Sequence, residues 1–521
     1  VIHKNKKMKL TYILIAINVI LMSNAQAQPG TLDSTFSFDG IQVANFSTSA
    51  DQGLGMAIQT DGKIVVVGSS FLNGSFDCTA LRLLPDGMID NTFDNDGKVS
   101  INLSNTNDIA YAVTIQSDGK IILAGHKSGL NISDFMIIRL NSNGSLDTSF
   151  GNAGIVTTDE AGNNDIPSAI ALQPDGKILV AGHTQIGVQN DFMVCRYLTD
   201  GTLDSTFNAN GKKIFPVGPN NDLCQALKLQ ADGKIVLAGN AAYPGAQSNN
   251  FATARLLPDG SLDTTFNSTG IAVIDFYNTD EEAYGLAIQN DGKILVGGYA
   301  NIAGSNDFAL LRLLPNGLLD SLFSNDGKQT TTFASNFDYG KAIELQPDGK
   351  ILMAGFSTGG TNQFALCRFL SNGDLDSGFS ADGQVLTSIL NNTGAAAYAM
   401  QLQIDGKILL AGQSGINTTA YTIVRYNNTN FTGIESSDNF LNHLLVSPNP
   451  FDNYTIFSTS YPIQDPTITI FNNYGQKVAL AIYYLAPGKW MIEKGNQPAG
   501  LYYVQIKVAQ QIIGTARLVI Y

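Results

Sequence analysis

Seven Asp-Gly-Lys triplets, beginning at Asp61, Asp118, Asp175, Asp232, Asp291, Asp348 and Asp405, recur at intervals of 57, 57, 57, 59, 57 and 57 residues. A period this regular makes one supersecondary unit the building block and restricts the fold to an array or a ring of copies. Apolar residues alternate before each triplet, as in Met56 and Ile58, and an apolar run follows, as in Ile64 to Val67. That is strand, turn, strand. Asp-Gly predicts a two-residue type I′ turn, whose central residues both need positive φ. A second turn follows at Asp86-Gly87, Asn143-Gly144, Asp200-Gly201, Asp259-Gly260, Asn316-Gly317 and Asn372-Gly373. Each period then holds about four short strands. With 52 Gly and only 14% charged residues, the chain spends its polar positions on turns. Unbroken runs such as Lys177 to Gly182 fit strands buried on both faces, as in stacked propeller blades.

Closure of the ring is predicted from two columns. An Arg recurs at Arg82, Arg139, Arg196, Arg255, Arg312, Arg368 and Arg425, and an Asp follows the first six by eight residues, at Asp90, Asp147, Asp204, Asp263, Asp320 and Asp376. A hairpin between them brings each carboxylate to its guanidinium as a structural ion pair. Arg425 has no downstream Asp, whereas Asp33, in Leu32-Asp33-Ser34-Thr35-Phe36, has no upstream Arg. The two complement one another, so the N-terminal strand is expected to complete the last unit and leave no open sheet edge. The fold class expected is all-β: a seven-bladed β-propeller over residues 28–431, followed by a small C-terminal β-sandwich.

The repeated Leu-Asp-x-Thr-Phe, Gln-x-Asp-Gly-Lys-Ile-Leu-x-Ala-Gly and Asp-Phe-x-x-x-Arg elements resemble the delta-60 repeat family, a propeller-forming repeat of unknown function, over residues 29 to about 431. The resemblance implies a bacterial secreted or surface propeller and brings no catalytic residues with it. A polar stretch, 432–445, reads as a linker. Residues 446–521 contain Ser447-Pro448-Asn449-Pro450-Phe451, Tyr474-Gly475-Gln476-Lys477, Pro498-Ala499-Gly500-Leu501-Tyr502-Tyr503-Val504 and a terminal Arg517-Leu518-Val519-Ile520. They are similar to the type A sorting domain of the type IX secretion system of Bacteroidota. That likeness implies the export machinery as a partner. At the other end, residues 1–27 read as a signal peptide: Lys4, Lys6, Lys7 and Lys9, then Leu10 to Met22, then Ala25-Gln26-Ala27. The apolar stretch is 13 residues, too short to span a bilayer at about 20. The expected address is secreted or outer cell surface, with no integral membrane segment after cleavage.

The net charge of -14 excludes a phosphate-backbone binder, so no nucleic-acid partner is expected. Cys78, Cys195, Cys224 and Cys367 lack CxxC spacing and read as buried free thiols. Asp51, Asp108, Asp165, Asp222, Glu281 and Asp338 form one column, with Ala395 in the seventh place. Carboxylates in a ring can hold calcium, but a residue shared by nearly every unit more simply caps a turn. No metal site and no cofactor are therefore expected. The column that varies is Ser69, His126, His183, Asn240, Tyr299, Phe356 and Gln413, and it is the candidate binding surface, set against the plainer reading of exposed loop residues. No catalytic constellation, phosphate loop, HExxH or GxSxG is readable. The function expected is a non-enzymatic binding module for a glycan or protein. The alternatives are a polysaccharide-directed hydrolase or lyase, with Asp159, Glu160 and Glu282 as first candidates, and a structural adhesion protein.

Overall fold

The computed structural model describes residues 28–428, less 104–105, 130–131, 244–247, 334–336 and 390–393, and residues 445–520, less 448–452, 459–465, 473–476, 487–488, 499 and 509–510. The expected leader over 1–27, the linker to residue 444 and the Pro-Asn-Pro element lie outside them. The chain divides into two compact units, Val1–Asn430 and Phe431–Tyr521. No described residue is helical, so among them no helix is long and apolar enough to cross a membrane.

The first unit is a β-propeller built, among the described residues, from seven four-stranded antiparallel sheets. In the first sheet the strands Asp51–Ile58, Ile64–Leu72, Ser75–Leu83 and Lys98–Ile101 lie side by side in chain order. Five further sheets repeat this order. The last differs: Ala395–Leu402, Ile408–Ser414 and Ala420–Tyr426 are completed by the N-terminal strand Ile41–Ala44, paired antiparallel with Ala420–Tyr426.

The two hairpins of each sheet differ from the type I′ expectation. In the first, Gly62 N–H donates to the Gln59 carbonyl and Gln59 N–H to the Lys63 carbonyl, and only Gly62, at φ 84°, is left-handed. A five-residue connection with its last turn position in the left-handed region replaces the two-residue loop. Asp61 accepts from Lys63 N–H instead of adopting positive φ itself. After the second turn, the Leu-Asp-x-x-Phe segment contributes one bridge, Leu83 to Ile89, and the fourth strand begins only at Lys98.

The cores lie between sheets. Val65 and Val67 pack with Ala110, Ile121 and Leu123 of the second sheet, whereas Ile64 and Val66 pack with Leu409, Ala411 and Ile423 of the last. Strict alternation along a strand whose two faces are both covered explains the unbroken apolar runs. Seven such clusters join consecutive sheets, and the one that joins last to first closes the ring. Across that seam the Tyr421 and Thr79 hydroxyls are 2.8 Å apart. All four cysteines are buried and free.

An arginine ladder reinforces every junction. Arg196 Nε donates to Asp204 Oδ2 at 2.8 Å, its Nη1 to the Pro258 carbonyl of the next sheet at 2.5 Å, and its guanidinium lies 4.7 Å from the Phe207 ring centre. The pairs Arg82–Asp90, Arg139–Asp147, Arg255–Asp263, Arg312–Asp320 and Arg368–Asp376 lie at 2.7–2.8 Å. Arg425 reaches Asp33 at 2.7 Å and the Pro85 carbonyl of the first sheet at 2.6 Å. Each Asp also receives the turn lysine, for example Lys407 to Asp33 at 2.8 Å.

The second unit has two four-stranded sheets, one containing Tyr454–Ser458 and Lys489–Glu493, the other Gly500–Val508 and Gln511–Ile520. They share one core, in which Trp490 stacks on Phe457 at 5.2 Å against Ile470, Val504 and Leu518.

Removing Asp33 leaves the buried Arg425 without its partner, so Asp33→Ala is expected to lower the unfolding free energy by about 3 kcal/mol or more. Asp204→Ala should cost the same within about 1 kcal/mol, because the seam pair copies the interior one. Urea unfolding of both variants measures this. An unchanged midpoint for Asp33→Ala alone would show that the N-terminal segment does not hold the ring.

Candidate functional site

The two ends of the ring are chemically different. At one lie the Asp-Gly-Lys turns and the arginine ladder, the same in every sheet. At the other lie the connections between sheets and the hairpins between second and third strands, and there the residues vary. The acidic column stands at this second end as a set of caps. Asp222 Oδ2 accepts from the Val217 and Gly218 amides at 2.7 and 2.9 Å, Asp51 from the Phe46 and Ser47 amides, Asp108 from Leu103, Asp165 from Glu160, Glu281 from Phe276 and Tyr277, and Asp338 from Phe333. Each carboxylate ties down the incoming loop and is fully buried in doing so. Among the described residues, Asp134, Asp159 and Asp165 are the one group of acids whose oxygens converge within 4.8 Å.

The column Ser69, His126, His183, Asn240, Tyr299, Phe356 and Gln413 does not lie in loops. That expectation is corrected: all seven sit within the second strand of their sheets, which runs past Val67-Gly68 to Leu72 in the first sheet. Ser69, His126, Asn240 and Tyr299 are buried and the other three half-buried. Burial pushes the imidazoles of His126 and His183 down to about 4, so both are neutral at pH 7. Among the described residues no third ligand converges on them. His126 lies against Tyr111 at 5.6 Å.

Opposite this column the inner strand is irregular. Its pairing slips by one residue in all seven sheets, between Gly53 and Gly55 in the first and between Gly340 and Ala342 in the sixth. The residue left over forms a second variable column, Leu54, Tyr111, Ser168, Gln225, Tyr284, Lys341 and Tyr398, seven places before each turn Asp. A bulge re-aims one side chain without ending the strand. A glycine on the second strand marks it: a Cβ on Gly68 would stand 1.8 Å from the Gln52 carbonyl oxygen.

The inner strands enclose a cavity of about 190 Å³ bounded by all seven sheets and lined in part by Tyr111, Ser168, Gln225, Tyr284 and Lys341. On the fifth, sixth and seventh sheets the two variable columns and Tyr339 merge into one aromatic run. Tyr284 stacks on Tyr299 at 6.3 Å, Tyr299 meets Tyr339 edge-on at 5.0 Å, Tyr339 stacks on Phe356 at 4.9 Å and Phe356 meets Tyr398 at 6.3 Å. The Lys341 ammonium lies 3.3 Å from the Tyr284 ring centre and 5.8 and 5.9 Å from those of Tyr299 and Tyr339. Burial lowers its pKa to about 8, against the pull of Glu282. The Tyr284 hydroxyl donates to Glu282, and burial together with that carboxylate holds both Tyr284 and Tyr299 protonated. Sequence reading finds Tyr299 and Phe356 in this site and misses Tyr284, Tyr339, Lys341 and Tyr398. The acids Asp159 and Glu160 are elsewhere, Glu160 paired with Lys212 at 3.0 Å on the third sheet.

Six segments, 59–93, 116–150, 173–207, 230–266, 289–323 and 346–379, match the family model described as domain of unknown function (DUF5122) beta-propeller. Each runs from the Gln that opens the inner turn to the Phe beneath the arginine. The seventh set is divided between the chain ends, Gln403 to Arg425 and Asp33 to Phe36. No curated protein matches in sequence. Among solved structures, PorZ, a surface component of the type-IX secretion system of Porphyromonas gingivalis, is similar over 89% of this chain and 59% of that one, at 11% identity and a TM-score of 0.36. The polysaccharide lyase Uly1 is similar over 78% of this chain and 94% of that one, at 11% identity and a TM-score of 0.44. The β-propeller domain of the trilobed protease from Pyrococcus furiosus is similar over 73% of this chain and 100% of that one, at 12% identity and a TM-score of 0.38.

The two sets of acids act in opposite directions on stability. For Asp33, Asp90, Asp204 and Asp263, burial alone would raise the pKa, but hydroxyl and amide donors with the Arg and Lys charges outweigh it and hold it at about 2. Their stabilisation is present above the unfolded value near 3.9 and is lost as pH falls towards 2. Burial raises Asp108, Asp165 and Asp222 to about 6, Glu281 to about 7, and Asp338 in the same direction. These five keep protons that the unfolded chain has lost, so stability falls as pH rises from about 4 to 6. His126 and His183 oppose this trend as two groups against five. The thermal midpoint is expected to peak between about pH 4 and 5 and to drop on both sides, which calorimetry across pH 2 to 8 measures.

Proposed function

We propose that this chain is an exported seven-bladed β-propeller that binds a glycan at the aromatic end of its channel without reacting on it, and needs no metal or cofactor to do so. Residues 446–521, two sheets over one core, act in this reading as a β-sandwich sorting domain recognised by the type IX export machinery. The protein would then reside at the outer cell surface or in the medium.

One observation carries the binding role: five aromatic side chains in continuous contact on three neighbouring sheets, where the scaffold demands none of them. The same two columns hold Leu54 and Ser69 in the first sheet and Gln225 and Asn240 in the fourth. A pyranose ring presents a face of C–H groups with slight positive charge, which suits the negative face of an aromatic ring. Tyr284, Tyr339, Phe356 and Tyr398 are half-buried, so part of each ring remains open to a partner. Hydrolysis or elimination would call for two carboxylates or an ionised base in one pocket. Asp159 and Glu160 lie sheets away from Glu282, and Tyr284 is held protonated.

A glycan and polysaccharide screen on the full chain, with and without calcium, tests this while reducing ends are assayed in the same wells. Binding without release is expected, unaffected by calcium. Tyr398→Ala or Phe356→Ala should weaken it by about tenfold or more, the loss of one aromatic contact, while Ser69→Ala leaves it within about threefold. Released reducing ends would make the protein an enzyme. A screen with no binding sugar would move the role to a protein partner.

A further inference from the structure

Lys341 is the one lysine in its column; the other six places hold Leu, Tyr, Ser, Gln, Tyr and Tyr. Among the described residues no carboxylate lies within salt-bridge distance of its ammonium, although every turn lysine of the ring has one. The acid whose charge acts on it, Glu282, takes the Tyr284 hydroxyl instead. Tyrosine rings attract a cation through their π faces but leave its N–H donors free for an acceptor. A partly desolvated ammonium without an acceptor is costly, and an incoming anion relieves that cost.

The cavity beneath it has matching size and charge. Its volume of about 190 Å³ lies below the roughly 300 Å³ from which pockets enclose a whole small molecule. It has room for a pendant group. Its lining carries two lysines, Lys228 and Lys341, and one acid, Glu344, whose ionisation burial opposes. Lys228 offsets Glu344, and Lys341, drawn by Glu282 from outside the lining, is the charge left to face a ligand.

We propose that the channel mouth is a subsite for an anionic group, carboxylate or sulfate, carried on a sugar ring: the ring lies on Tyr339, Phe356 and Tyr398, and the anion enters the cavity to meet Lys341. This rests on the glycan-binding reading above and names the class of glycan. Its source is an acidic polysaccharide, either a polyuronate or a sulfated galactan.

Calorimetry on the full chain with three probes distinguishes the possibilities: a galacturonate oligosaccharide, the same oligosaccharide as its methyl ester, and a sulfated galactan oligosaccharide. At least one anionic probe is expected to bind about tenfold or more tighter than the ester, with the advantage shrinking as salt is raised. Lys341→Met, close in volume, should bring the anion-to-ester ratio to near one, and Lys341→Arg should retain it. Which anionic probe is favoured separates carboxylate from sulfate. Equal binding of acid, sulfate and ester, or a ratio that survives in Lys341→Met, overturns the anionic subsite while leaving glycan binding in place. Failure of all three probes together with every neutral sugar of the screen overturns both.

Discussion

Every junction in the ring depends on one guanidinium doing three things at once. Arg196 binds the Asp204 carboxylate of its own sheet, the Pro258 carbonyl of the next sheet and the face of Phe207. A planar group with five donors in fixed directions can do this, and a lysine cannot. A buried ion pair is not in itself a strong source of stability, because desolvation offsets much of the attraction. Its effect here is geometric. The contact with the next sheet, a main-chain carbonyl six times and the Asn428 side-chain oxygen for Arg368, sets where that sheet stands, and seven repetitions return to the first sheet through Arg425 and Pro85. The angular step between sheets is thus fixed at one end of the molecule by a chemistry that hardly varies.

Fixing one end leaves the other free. The acid caps are the minimum the variable end shares, and even they lapse at Ala395, where the sixth and seventh sheets meet. Between caps, the side chains of the bulge column and of the column opposite it answer to no repeated requirement. The aromatic run occupies the fifth to seventh sheets, and among the described residues of these columns only there do bulky rings succeed one another across the junctions. Differences among otherwise equal sheets are the part of this molecule that the scaffold does not explain.

The sequence shows the scaffold clearly because its contacts recur at fixed intervals. Arg425 without an Asp and Asp33 without an Arg identify the seam, since a ring needs as many acids as arginines. Turn type is less legible: Asp-Gly is compatible with a type I′ loop and with the five-residue connection found, and the hydrogen bonds of Gln59 and Gly62 decide between them. The site is less legible still, for two reasons. His126 and Asn240 follow an Ala-Gly pair that resembles a strand ending, yet the strand continues because its hairpin partner continues. Tyr284 and Lys341 sit at a bulge, where alternation along the strand misassigns which face a residue serves.

The glycine of that same Ala-Gly pair is the missing sign. Its hydrogen stands where any Cβ would strike the inner-strand carbonyl, at 1.8 to 2.1 Å in six of the sheets outside the sixth and 1.9 Å in the sixth. A glycine kept in the middle of a buried strand, where it weakens pairing, points to a close backbone approach. Here the approach is the bulge itself, so each of the seven glycines marks, on the strand beside it, the bulge residue, and five of these, Tyr111, Ser168, Gln225, Tyr284 and Lys341, line the cavity. Counting from Gly355 across the hairpin to the slip between Gly340 and Ala342 leads to Lys341. Once the bulge is recognised, a lysine turned into a channel among tyrosines is no longer part of a repeat, and its lack of an acceptor becomes the property that a ligand has to satisfy.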